Sequence, residues 1–463
     1  MTRALEPDTV SHGVPATTSD GGSEARSPVD LTPSSKGSGW RYYLRAIGPG
    51  LVTGASDDDP SGVATYSQAG AAQGYGMLWV SLITFPLMTA VQEICDRTAL
   101  ATGKSLGELV TIRWRSRSAR LLVGALLIGL LAANALNIAA DLVAVGSGMT
   151  LLHAGPTWLW ALLAGVAITA LVMFGSFARI ALVFKLLCAT LLVYFVVAVM
   201  VHPPGAQVLQ GTFVPQLHLN ATYLTLLVAV LGTTISPYLF FWQSAHRLED
   251  MRDEPEQGRR AVPLDDRHAT NARRKLRASR LDVITGMAFS NLVMFAIIVS
   301  TSATLHAHGK TNLNSAADAA KALQPLAGRW AGALFALGFI GSGMLAIPVL
   351  AGAGAAAMAG LLGKRFGFSR SVKKAPVFYS LVALGTLGGT LLTLTRVDPV
   401  QLLVISAYIN GVAAAPFLML VMLISNNTHI MGEHRNGRLA TTLGWVTFTL
   451  MAAAAITSFT VGG

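Results

Sequence analysis

Long apolar runs separated by short polar stretches dominate the chain. Residues 121–133, 159–174, 180–201, 223–231, 283–299, 332–362, 377–394 and 400–424 lie in segments of about 20 residues, the length that crosses a bilayer as a helix. Segments 46–72, 77–101 and 443–461 bring the total to about eleven spans. A soluble core cannot use so many, so the pattern predicts an all-α, multi-pass integral membrane protein. Residues 1–40 are different: they are rich in Ser, Thr, Pro and Gly, with scattered charge and no apolar run. They lack the apolar core of a secretory signal, which predicts a disordered cytosolic tail rather than a cleaved targeting peptide.

Two spans carry polar residues at mid-depth. The first reads Gly48-Pro49-Gly50, then Ser56-Asp57-Asp58-Asp59-Pro60-Ser61-Gly62. Proline removes a backbone donor and clashes with the preceding turn. A charge at mid-bilayer is costly unless it lines a cavity. This stretch therefore cannot belong to a continuous lipid-facing helix. The sixth span reads Gly232-Thr233-Thr234-Ile235-Ser236-Pro237-Tyr238. If the spans form two sets of five, 41–220 and 221–425, each break falls in the first span of its set, and 426–463 supplies an extra eleventh helix. An odd number of spans per set makes the two halves inverted. Paired broken helices in an inverted repeat, here helices 1 and 6, point to a transporter's substrate site. Unwound carbonyls and half-helix ends there can coordinate a cation. Asp57, Asp58, Asp59, Ser56, Thr233 and Ser236 are the candidate metal ligands. The competing reading is two unrelated proline kinks holding neutralised carboxyls.

Asn134, Asn137 and Asp141 in the third span are spaced i, i+3, i+7 and share one helical face. A buried carboxylate on a polar stripe suggests an ion or proton path; interhelical hydrogen bonding by Asn is the alternative. Asn410 in the tenth span is a further candidate on that path.

Composition agrees with a membrane location: 52% of residues are hydrophobic and 12% charged. The net charge of +11 would suit a nucleic-acid partner if the basic residues clustered on one surface. They follow topology instead. With the N-terminus in the cytosol, 30 of the 34 Lys and Arg fall in the tail and inward loops. Lys310, Lys321, Arg329 and Arg396 fall outside. The positive-inside rule thus puts the N-terminus in and the C-terminus out of the cytoplasmic membrane, with the lipid bilayer and no nucleic acid as partner. The largest inward insert, 245–281, reads as a solvated basic loop, with anionic-lipid contact as the alternative. Cys95 and Cys188 sit in different spans, which argues against a disulfide framework or zinc site.

The motifs now resemble a known family. Gly48-Pro49-Gly50, Asp59-Pro60 and Gln68-Ala69-Gly70 are similar to the first span of the Nramp divalent-metal transporters, whose signature there is Asp-Pro-Gly-Asn. Ala101-Thr102-Gly103-Lys104 and Ala140-Asp141-Leu142 fit the same pattern. The resemblance runs from about residue 45 to 445. It implies the inverted-repeat fold of amino-acid and sodium-coupled transporters, with a divalent metal ion as cargo and no cofactor. It also assigns the metal-binding carboxylate to Asp59. The departures matter as much. The family's Asn falls at Gly62, its Met-Pro-His at Ser236-Pro237-Tyr238, a second His at Gln243, and a Glu at Ala144. Gly62, Tyr238 and Gln243 therefore shape the site without the usual transition-metal ligands. The pattern resembles an Nramp-related branch that includes magnesium transporters.

Carboxylate, hydroxyl, carbonyl and water suit Mg²⁺ and Mn²⁺, whereas a thioether favours softer metals. Mg²⁺ keeps several waters and is held by one or two carboxylates. Gly62 in place of Asn is expected to widen the site. The leading expectation is a carrier of Mg²⁺ or Mn²⁺, weakly or not proton-coupled, monomeric or a weak homo-oligomer. A proton-coupled Mn²⁺/Fe²⁺ transporter and a sodium-coupled amino-acid or organic-cation transporter remain as alternatives. No catalytic motif points to an enzyme.

Overall fold

The computed structural model describes residues 48–174, 177–218, 220–254, 260–313, 330–393 and 399–461. The N-terminal 1–40 stretch lies outside them, as do Arg259, Lys321, Arg329 and Arg396. Every regular element among the described residues is helical. In order they are α1 (Pro49–Asp57), α2 (Pro60–Gln73), α3 (Trp79–Thr102), α4 (Leu106–Arg113), α5 (Arg117–Leu151), α6 (Thr157–Phe174), α7 (Phe177–Thr190), α8 (Leu192–Met200) and α9 (Gly205–Phe213). There follow α10 (Ala221–Thr234), α11 (Pro237–Asp253), α12 (Ala269–Thr304), α13 (Ala331–Leu361), α14 (Pro376–Leu392), α15 (Pro399–Ser425), α16 (Thr428–Met431) and α17 (Arg438–Val461).

Eight helical segments among the described residues are long and apolar enough to cross a membrane, and α2 with α3 adds a bent pair. Helix α14 is a shorter apolar helix. Counting α2 and α3 as separate spans on account of their 111° bend, and α14 as one more, accounts for the eleven expected segments. The short α1 joins α2 as a broken first span, α10 joins α11 as a broken sixth, and α7 joins α8 as the fifth.

Both breaks are built the same way. A helix ends, two residues intervene, and the next helix restarts with proline at its first position, Pro60 in α2 and Pro237 in α11. Proline is tolerated there because the first-turn N–H has no partner within the helix anyway. The four half-helices lie in the middle of the bundle. Helix α12 packs along α1 and α2, α15 along α10 and α2, and α5 along α13.

One expectation fails at the basic end. Residues 245–281 are not a solvated loop: α11 runs on to Asp253 and α12 begins at Ala269. Arg247, expected in solvent, has a side chain only 2% exposed. Ion pairs explain the difference, because Arg247 meets Asp96, Asp250 and Asp282, while Lys275 meets Asp250 and Glu254. A charge can leave water where it is paired and hydrogen-bonded.

Candidate metal pathway

The three adjacent carboxylates are all buried, and they splay rather than converge. Asp59 caps α2: its Oδ1 accepts from the Gly62 N–H at 2.7 Å and from the Ser61 hydroxyl at 2.5 Å. Asp57 turns to α12, where its Oδ2 accepts from the Ser290 hydroxyl at 2.8 Å. Neither oxygen of Asp58 has a hydrogen-bond partner. Among the described residues no three His, Cys, Asp or Glu side chains gather to hold a metal. The Asp triplet is thus three separate groups, and a cation held by one of them would take its remaining ligands from hydroxyls, carbonyls and water.

The second break supplies such oxygens. Ser236 donates to the carbonyls of Gly232 and Thr233 at 2.8 and 2.9 Å, which leaves its lone pairs free to accept or coordinate. Tyr238 reaches across to the first break and donates to the Ser56 carbonyl at 3.0 Å, so that carbonyl is already engaged. Thr233 stands beside Gly62. A Cβ added at Gly62 would lie 3.2 Å from the Thr233 hydroxyl and from the Asp57 carbonyl, and 3.4 Å from the Tyr66 ring. The expected widening at Gly62 is therefore absent, because Thr233 and Tyr66 fill the space.

The polar stripe on α5 divides. Asn134 donates to the Leu350 carbonyl of α13 at 2.9 Å, the interhelical role that Asn commonly takes. Asp141 and Asn137 are buried with no partner for either polar side-chain atom. Asp141 belongs to the site's surroundings: a Cβ on Gly343 of α13 would lie 3.1 Å from the Asp141 carbonyl and 3.3 Å from Pro60. Asn410 is buried with its Oδ1 unpartnered, next to the close crossing of Gly411 and Gly232.

Gln243 is not among these groups. It accepts from Thr53 and donates to Asp96 Oδ1 at 2.6 Å, in a network at the basic end. Arg247 Nε donates to the same Asp96 oxygen at 2.6 Å, and its Nη2 to Asp282 Oδ2 at 2.9 Å. Ser279 donates to the other oxygen of Asp96. Asp282 also accepts from the Gly48 and Gly50 N–H groups at 2.9 and 2.8 Å, capping α1 from another helix. Sequence reasoning missed Asp96, Arg247 and Asp282. The available signal was an acidic residue at the edge of an apolar segment, at Asp96 and again at Asp282.

At the opposite end, a cavity of about 690 Å³ opens between the end of α2 and α12, lined by polar groups including Gln73, Tyr75, His202, Gln216 and His306.

Broken helices restarting on proline, with buried carboxylates beside them, invite comparison with known transporters. Residues 50–460 match the Nramp family, described as natural resistance-associated macrophage protein-like. The chain belongs to the Nramp family. Among its relatives is the divalent metal cation transporter MntH of Ralstonia nicotianae, 30% identical over 439 residues, covering 90% of each chain. The MntH of Deinococcus radiodurans is 27% identical, covering 93% of each. The fold matches the manganese transporter of Eremococcus coleocola in complex with an aromatic bis-isothiourea compound. That match has TM-score 0.73 and 17% identity, covering 94% of this chain and 90% of that one. A nucleobase–cation symport-1 family transporter in a closed conformation matches at TM-score 0.52 and 14% identity, covering 89% of this chain and 90% of that one.

Most of the Nramp-like motif residues here serve packing. A Cβ on Gly50 would sit 2.6 Å from the Asp282 backbone, and one on Gly70 would collide with Thr301. Gly103 adopts φ +64° to end α3, a conformation that favours glycine. Gln68 holds the segment after α12, donating to the Thr311 carbonyl and accepting from Leu313 N–H, both at 2.9 Å. Asp59, whose cap uses Oδ1, and Asp141, with neither oxygen partnered, are the acidic motif residues outside this packing role.

Proposed function

We propose that this Nramp protein carries hard divalent cations, Mg²⁺ and Mn²⁺, across the cytoplasmic membrane between the breaks of α1–α2 and α10–α11. The donor set supports this most directly. Asp57, Asp58, Asp59, Thr233, Ser236 and Tyr238 offer only oxygen, and Asp58 and Asp141 are buried with no protein partner for their carboxylates. Burying an unpaired carboxylate is costly, and a passing cation offsets that cost. Asp59 is the first ligand in this reading, Ser236 and Thr233 complete the site, and retained water supplies the remainder. The names of the MntH relatives agree with a divalent cargo.

The matched construction of the two breaks supports 41–220 and 221–425 as inverted repeats. The loop charge supports a cytosolic N-terminus, so the basic end is the cytosolic one. Proton coupling is weak in this reading, because Tyr238, Gln243 and Ala144 replace groups that titrate. A second reading, proton-coupled Mn²⁺ or Fe²⁺ transport, is favoured by the unpartnered Asp141 near the first break.

Uptake by proteoliposomes tests the first reading. Millimolar Mg²⁺ should suppress Mn²⁺ uptake, since oxygen donors discriminate little between the two ions. Mn²⁺ uptake indifferent to a large Mg²⁺ excess would refute the hard-ion assignment.

A further inference from the structure

We infer that Arg247 is a tethered cation that locks the basic-end exit, and that the metal leaves only when the guanidinium is displaced from Asp96 and Asp282. This rests on the transport reading above and concerns the step after binding. The inference stands on where the network sits. Arg247 and Gln243 belong to α11, the half-helix below the second break. Gly48, Gly50 and Leu51, held by Asp282, begin α1, the half-helix below the first break. Asp96 belongs to α3, which packs against α11, and Asp282 to α12, which packs against α1. One guanidinium on α11 therefore bridges α3 and α12, and through Asp282 it is joined to the start of α1.

A direct hydrogen bond between the half-helices, Thr53 to Gln243, lies in the same layer. All of these side chains are buried: Thr53, Gln243, Asp96, Asp282 and Arg247 are each at most 2% exposed. In this inference an ion moving from Asp59 to the basic end passes this layer, whose side chains are buried and hydrogen-bonded to one another.

The chemistry makes the lock releasable. Arg247 already holds a third carboxylate, Asp250 Oδ2, through Nη1 at 3.0 Å, and Asp250 has a side chain 35% exposed. Withdrawal toward Asp250 keeps the guanidinium paired while it releases Asp96 and Asp282 from their ion pair, leaving them only neutral hydrogen-bond donors. Those two carboxylates then face the exit as hard-oxygen donors for the departing cation. Removing the guanidinium altogether leaves two buried carboxylates uncompensated, which favours a hydrated, open exit.

Two measurements test this, both in a background with Cys95 and Cys188 replaced by Ala. In the first, Thr53→Cys is labelled by a membrane-impermeant thiol reagent applied to the basic-loop face. Adding Arg247→Gln should raise the labelling rate about ten-fold or more, because the closed state loses its central pair. An unchanged rate in a folded variant would overturn the lock. In the second, Thr53→Cys with Gln243→Cys is oxidised to join the half-helices directly. Metal uptake should fall at least about ten-fold with the cross-link formed and return on reduction, as expected if this layer must separate. Unchanged uptake with the cross-link complete would overturn the inference even if Arg247→Gln fails to fold. A parent protein that moves no divalent ion would defeat the transport reading instead, and the labelling result would stand apart from it.

Discussion

Asp59 holds the first turn of α2 with one carboxylate oxygen, and in the proposed transport reading it is also the first metal ligand, so substitution can separate the two duties. Asn is as good a helix cap as Asp. Asp59→Asn should therefore leave thermal stability in detergent nearly unchanged, while saturable Mn²⁺ uptake falls at least about ten-fold for want of the charge. Asp59→Ala loses the cap as well, at about 1 kcal/mol. If the Asn variant transports normally, the carboxylate that matters is Asp57 or Asp58. Ser236 gives a second test. Ser236→Met restores a thioether beside the break and should shift the Cd²⁺-to-Mg²⁺ affinity ratio about ten-fold toward Cd²⁺, read by calorimetry with both ions. An unaltered ratio would place Ser236 away from the ion. Gly62→Asn is the less clean companion, since Thr233 and Tyr66 already crowd that position.

At the scale of elements, the half-helix α1 is held by backbone contact as much as by charge. A Cβ on Gly286 of α12 would collide with the Gly50 carbonyl, and one on Gly54 would collide with Gly286. Gly286→Ala should destabilise the protein by about 1–3 kcal/mol, the usual cost of forcing a methyl into a filled contact. The expected result is a lower melting temperature, with metal affinity per folded molecule retained. The breaks themselves were legible in the sequence, because Pro60 and Pro237 interrupt apolar runs and proline has a fixed local meaning. The stripe on α5 was half legible: periodicity placed Asn134 and Asp141 on one face but could not say that Asn134 would find the Leu350 carbonyl. The network around Arg247 was not legible. Its members are 151 and 35 residues from Arg247 along the chain, and a basic residue near a span end reads as loop until its partners are known.

At the scale of the molecule, the buried charges Asp96, Arg247 and Asp282 at the basic end are mutually paired, and those near the breaks are acidic. That distribution predicts carriage of charge by the metal itself. Gln243 exchanges no proton, and its place between Thr53 and Asp96 makes it part of the closure. Metal uptake should then follow membrane potential, with little acidification of the vesicle interior when the proton gradient is absent. Robust metal-dependent acidification would favour the proton-coupled reading and single out Asp141. The three-glycine contact of α1 and α12 has another implication, for variation among descendants of this sequence. Gly50, Gly54 and Gly286 touch backbone to backbone, so a larger residue at one of them cannot be offset by shrinking its neighbour, which is already the smallest available. No pairwise exchange opens a neutral path away from this arrangement. In a comprehensive substitution library these positions should rank among the least tolerant in the chain although none of them belongs to the proposed metal site, and invariance there would record geometry rather than chemistry.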